Sequence, residues 1–225
     1  MGFRDFFETI AFGSVIVCLI LYILILALSI REYFKIKRLV FILLIMECIG
    51  FIYDGLILLI GTKLSDDALK GTNIVRYILH GILVPILIAF TGYALQFRRD
   101  KLYVNWVITI ICIILGLAAG ICTKMKVEDE FGKLKRCGIH GDDTPSWVNP
   151  IDTIMNIGSV IYMIIAGLIL LVIKREFFYF LAGLLMLIFS AIGPASGNSD
   201  LNFLLSVYGE ILMMIFLFVF FKKFG

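Results

Sequence analysis

Five ionisable side chains fall inside otherwise apolar stretches of this chain, and their spacing sorts them into groups. Glu47, Gly50 and Asp54 stand at i, i+3 and i+7. On a helix that puts both carboxylates on one stripe, about 10 Å apart along the axis. Gly50 between them clears room for a neighbouring helix or a ligand. Arg76 and His80 are four residues apart and share a helix face. Asn202, Ser206 and Glu210 follow at four-residue steps. Ionisable groups are costly in an apolar surround and usually functional there. Carboxylates with a histidine can relay protons, hold a cation, or carry out acid–base hydrolysis without a metal.

The elements that must position these groups are membrane helices. Hydrophobic residues make up 61% of the 225 residues and charged ones only 16%, outside the soluble balance. Seven apolar runs approach the length of about 20 residues that crosses a bilayer core. They lie near 10–30, 39–61, 75–96, 103–123, 153–173, 177–195 and 201–221. Their lack of polar–apolar alternation excludes a membrane β-barrel, so an all-α protein with seven transmembrane helices is expected. The first run is too long for a signal h-region and has no small-x-small site after it. Phe6 breaks the myristoylation pattern.

Lys and Arg set the expected orientation. The turns after the first, third and fifth runs and the C-terminus hold Arg31, Lys35, Lys37, Arg38, Arg98, Arg99, Lys101, Lys174, Arg175, Lys222 and Lys223, packed into short segments. That reads as a cytoplasmic C-terminus in the cell membrane, with segment 1–9 and the loop 124–150 outside. The net charge of +3 then belongs to turns facing anionic lipid, and nucleic acid is not an expected partner. Counted inward from the outer helix ends at 1.5 Å per residue, Arg76 sits at the mouth. His80 lies roughly 7 Å down, Asp54 roughly 10 Å, Glu210 roughly 14 Å and Glu47 roughly 21 Å. This is a descending ladder of titratable groups, with His80 its natural proton-exchange member. Plainer roles compete with it: Arg76 snorkelling to headgroups, His80 bonded to a backbone carbonyl, or Asp54 paired with Arg76 or His80 to hold two helices together.

A repeat runs through the same segments. Gly13-Ser14-Val15-Ile16 returns as Gly158-Ser159-Val160-Ile161, and Arg31-Glu32-Tyr33-Phe34 returns as Arg175-Glu176-Phe177-Phe178. Gly50 and Gly193 follow at matching places, which makes Ser190 the counterpart of Glu47. The expected organisation is a three-helix repeat over 10–96, a linker helix at 103–123 and a second three-helix repeat over 153–221. In topology alone this three-plus-one-plus-three plan resembles the SWEET and PQ-loop transporters and the trimeric intracellular cation channels. No Pro-Gln dipeptide occurs, so the PQ-loop signature is missing. The seventh run has no mid-helix lysine for a retinal Schiff base, and two histidines are too few for a ceramidase-type zinc hydrolase.

Pro85 and Pro194 would free the carbonyls of Gly81 and Ser190, giving kinks suited to cation coordination or gating. The 124–150 loop, with mixed charge, glycine and proline, reads as exposed and without a packed core. Trp147 would sit at the membrane interface. A disulfide between Cys122 and Cys137 could close the loop, while Cys18, Cys48 and Cys112 read as small packing residues. His140 with Asp142 and Asp143 is a weak candidate for touching a divalent ion. No other metal ligand is expected, and the sequence names no cofactor.

The favoured function is a transporter or channel for a small solute or cation, linked to protons. Its site would comprise Glu47, Asp54, Arg76, His80, Glu210, Asn202 and Ser190. The alternative is an intramembrane lipid hydrolase in which Asp54 and His80 activate water and Arg76 holds a lipid phosphate. A sensor or assembly factor is a third possibility.

Overall fold

A computed structural model of the chain describes residues 2–138, 143–195 and 201–224. It is helical nearly throughout: α1 (Phe3–Ile36), α2 (Leu39–Ile60), α3 (Asp66–Leu83), α4 (Ile86–Ala94), α5 (Arg99–Cys122), α6 (Val148–Lys174), α7 (Phe178–Ala195) and α8 (Asn202–Phe224). Two short strands, β1 (Lys126–Val127) and β2 (Cys137–Gly138), pair antiparallel between α5 and α6. Among the described residues, six helical stretches are long and apolar enough to cross a membrane, α3 with α4 counting as one, and α7 carries a shorter apolar stretch at Phe178–Ile192.

Local chemistry explains the boundaries. Ser65 caps α3 by accepting the Ala68 amide at 3.4 Å, and Asp66 and Asp67 follow in the first turn, where the helix dipole favours negative charge. Lys37 and Arg175 take left-handed conformations that stop α1 and α6. Pro85 divides α3 from α4. Around it the ladder changes to three-residue steps, Leu87 N to Val84 O and Ile88 N to Pro85 O.

Burial runs opposite to that of a water-soluble bundle. Val17, Ile20, Ile110, Ile114, Ile154, Ile165, Val172 and Ile173 are exposed, whereas Glu47, Asp54, Asn73, Arg76, Asn105, Thr109 and Glu210 are buried. An apolar outside around a polar inside is what lipid requires of a helix bundle. Helices α3 and α5 meet with almost no side chain between them. A Cβ on Gly81 would strike the backbone of Gly116, and one on Gly120 would come within 2.8 Å of the Tyr77 carbonyl. Gly50 likewise makes room for Leu83 of α3.

The loop after α5 differs from its expected exposed, coreless state. Phe131, Leu134 and Cys137 are buried, and Phe131 meets Phe203 of α8 edge-to-face at 5.6 Å. Gly132, at φ +60, abuts the Glu8 carbonyl of α1, and Gly61 abuts the Lys135 carbonyl. The hairpin therefore packs on the helix ends, because those ends offer it apolar and backbone surface that its own composition does not reveal. Cys122 and Cys137 both carry free thiols, so the candidate disulfide is not formed. Trp147 is 41% exposed at the start of α6. His140 and Asp142 lie outside the described residues, as do the side chains of Gly193 and Pro194.

The repeat tags occupy unlike places. Arg31-Glu32-Tyr33-Phe34 is helical throughout within α1, whereas Arg175-Glu176-Phe177-Phe178 spans the turn from α6 to α7. Glu32 and Glu176 are nonetheless both buried.

Candidate functional site

A cavity of about 320 Å³ opens among the helices, and the residues singled out from the sequence line it. Glu47 reaches it from α2, Arg76 and His80 from α3, Ser190 from α7, and Asn202, Ser206 and Glu210 from α8. Asp54 borders a small adjoining recess of about 20 Å³ shared with Glu47, Arg76 and His80. The four-residue steps on α3 and α8 put each set on one face, and packing against α2 turns the faces toward one another.

The strongest internal contact is a two-pronged ion pair. Arg76 Nη2 donates to Asp54 Oδ2 at 3.2 Å, and its Nε faces Oδ1 of the same carboxylate. Both residues are buried, so each offsets the other's desolvation. The plainer role considered for Asp54, clamping α2 to α3, is thus realised. It does not exhaust the site.

The expected ladder is compressed. Asp54, His80 and Glu210 each offer a ligand atom, and these atoms lie within 4.8 Å of one another. Three groups placed by helix counting at different depths therefore converge at one level. The sequence assigned no metal ligands here, because the three donors come from three separate helices and form no local motif. Glu47 stands apart on the wall: it is 1% exposed and its Oε1 has no hydrogen-bond partner. Among the described residues, Asn202 Oδ1 and Arg76 Nη1 likewise find no hydrogen-bond partner. Orphaned buried polar atoms facing a cavity are what a ligand or ordered water would satisfy.

Several polar lining residues were missed, Arg136 foremost. Arg136, from the segment leading into β2, enters the cavity wall, with its guanidinium over the Phe203 ring at 4.7 Å and paired to Glu128 at 2.7 Å. Burial first, and the nearby Arg76 charge second, depress its pKa below the ordinary arginine value. Nothing near Arg136 in sequence signals this role; its position depends on the hairpin folding back. Asp152 and Asn156 of α6 also line the cavity, and Asn156 donates to Asp152 at 3.0 Å.

Beyond Leu87 and Met213 an aromatic cluster lies between the chamber and the basic end. Thr91 and Tyr179 share a buried hydrogen bond of 2.9 Å, and Tyr179, Phe90, Phe220 and Phe221 pack ring against ring beneath it. The polar chamber thus lies toward the hairpin end, above an aromatic floor toward the basic end. The fold and site together define a helical protein with apolar outer faces around a buried acidic and histidine-containing chamber. Compared with known proteins, the chain matches no family model, and no curated protein matches it significantly.

Proposed function

We propose that the chain is a seven-crossing protein of the cell membrane that moves a small solute or cation through this chamber, coupled to protons. Its N-terminus and hairpin face outward, and its basic turns and C-terminus face the cytoplasm. The observation that carries the reading is the chamber itself: Glu47, His80 and Glu210 line one cavity, and Glu47 Oε1 has no hydrogen-bond partner among the described residues. A lone carboxylate in an apolar surround is either protonated or waiting for a cation. Either state suits exchange with a proton or positive ligand. The aromatic floor at Tyr179 and Phe221 fits a state closed toward the basic end, and the break at Pro85 supplies a place for the floor to part.

The three-plus-one-plus-three arrangement belongs to the same proposal. Its support is that Glu47 and Ser190, matched by the repeat alignment, line one cavity; the unlike placement of the Arg-Glu tags weighs against it. The lipid-hydrolase alternative is served less well. Arg76, needed there as a phosphate clamp, is ion-paired to Asp54, with Nη2 donating to Oδ2.

The test is uptake in liposomes driven by a pH gradient. Glu47→Gln and Glu210→Gln should each abolish gradient-driven uptake while the protein remains folded by circular dichroism. Undiminished uptake in both variants would overturn the proposal.

A further inference from the structure

We infer that Asp54, His80 and Glu210 form a binding site for a divalent transition-metal cation of the zinc or manganese class. The inference deepens the reading of the chamber as cation-accepting, on which it rests for the ion's route of access, and it names the chemistry of the ion.

The donor set makes the first argument. One imidazole nitrogen and two carboxylate oxygens come from α3, α2 and α8, with their ligand atoms within 4.8 Å of one another. Donors about 2.0–2.2 Å from a common ion stand somewhat closer together than that, so a small side-chain adjustment completes the set. Imidazole with carboxylate suits Zn²⁺, Mn²⁺ or Fe²⁺, and the absence of a thiolate from the set disfavours Cu(I).

Glu47 makes the second, independent argument. It is 1% exposed and its Oε1 has no partner. It borders both the main cavity and the 20 Å³ recess that it shares with Asp54 and His80. Space of that size holds about one water or ion. Glu47 is therefore placed as a third acidic group, beside a donor set of two carboxylates and one imidazole.

Charge makes the third. Asp54, Glu210 and Glu47 bring three carboxyl groups to the chamber, and Arg76 is ion-paired to Asp54 alone. Arg136, the other guanidinium on the wall, is paired to Glu128. A dication would offset the remaining negative charge where desolvation is costly. Asp54 can serve both neighbours, since a carboxylate offers about four lone-pair sites and Arg76 takes two of them. The adjacent guanidinium weakens metal binding, so the site would release its ion readily, as a transport or exchange site must.

The test uses the full chain in detergent, stripped with a chelator and titrated with Co²⁺ as a spectroscopic probe and with Zn²⁺ by calorimetry. One Co²⁺ should bind per chain, with visible ligand-field bands that Zn²⁺ abolishes. His80→Ala, Asp54→Asn and Glu210→Gln should each weaken binding at least tenfold. His140→Ala, which removes the only other histidine in the sequence, should leave it unchanged. Wild-type protein that shows no saturable binding overturns the site whatever the variants do, as does binding lost in His140→Ala and kept in His80→Ala. Absence of metal binding together with uptake lost in Glu47→Gln would refute the metal site and leave the proton-coupled chamber standing. Saturable binding together with undiminished uptake in Glu47→Gln and Glu210→Gln would support the site and refute the transport reading.

Discussion

At the scale of single residues, the Asp54–Arg76 pair sets the terms for the chamber. Both groups are buried, so removing one strands the other without a partner. Breaking a buried pair in this way costs about 3–5 kcal/mol, while replacing both partners by apolar groups is often neutral. Arg76→Met alone should therefore lower the unfolding midpoint in detergent sharply, and Asp54→Leu combined with Arg76→Met should recover most of the loss. Equal losses in the single and double variants would show that the pair does not clamp α2 to α3. The spacing of Glu47 with Asp54, of Arg76 with His80 and of Asn202 with Glu210 was legible in the sequence, because helical period alone puts each set on a face. Their mutual distances were not, because helix counting fixes depth only when the helix ends and tilts are known. Arg136 was illegible for a further reason. Its partners, Glu128 and Phe203, lie eight and sixty-seven residues away, and no periodic pattern joins them.

At the scale of elements, the β1–β2 hairpin is where composition misled. Its isolated Phe131, Leu134 and Cys137 sit between charged residues, and such a pattern has no face of its own to bury. The burying surface is supplied by Phe203, by the start of α1 and by the end of α2. The hairpin thereby packs beside the chamber and delivers Arg136 to its wall. The Cys137 thiol reports on this packing: burial pushes its pKa above the ordinary thiol value, with the Lys70 charge acting against that. A raised thiol pKa leaves little thiolate at neutral pH, and alkylation speeds up as the pH rises toward it. In a variant keeping only this cysteine, maleimide labelling should be slow near neutrality and accelerate with pH. Gly132→Ala places a Cβ where the backbone has φ +60 and meets Glu8, so it should lift the hairpin. Labelling should then accelerate severalfold at constant pH. Fast labelling in the parent variant would show that the hairpin does not pack on the helix ends.

At the scale of the whole molecule, the distribution of polarity decides what surrounds the chain. Composition already pointed to lipid, and the structure adds where the apolar residues go: outward on α1, α5 and α6, with the acids, Arg76 and Asn105 turned inward. That inversion could not be read from composition, since an apolar helix looks the same whether it faces lipid or a neighbour. The two ends of the bundle also differ in kind. One carries the hairpin and the polar chamber; the other gathers Lys35, Lys37, Arg98, Arg99, Lys101, Lys174, Arg175, Lys222 and Lys223 near the aromatic floor. Basic clusters in short turns favour the cytoplasmic side, which would set the open chamber toward the exterior and its floor toward the cytoplasm. Single cysteines introduced into a background lacking the five native ones test this directly. Glu130→Cys, on the exposed hairpin, should react with a membrane-impermeant maleimide in intact cells. Lys101→Cys and Lys174→Cys, exposed at helix ends on the basic side, should react only after permeabilisation. The reverse pattern would place the polar chamber toward the cytoplasm, and any proton gradient would then drive the acidic site from the opposite side.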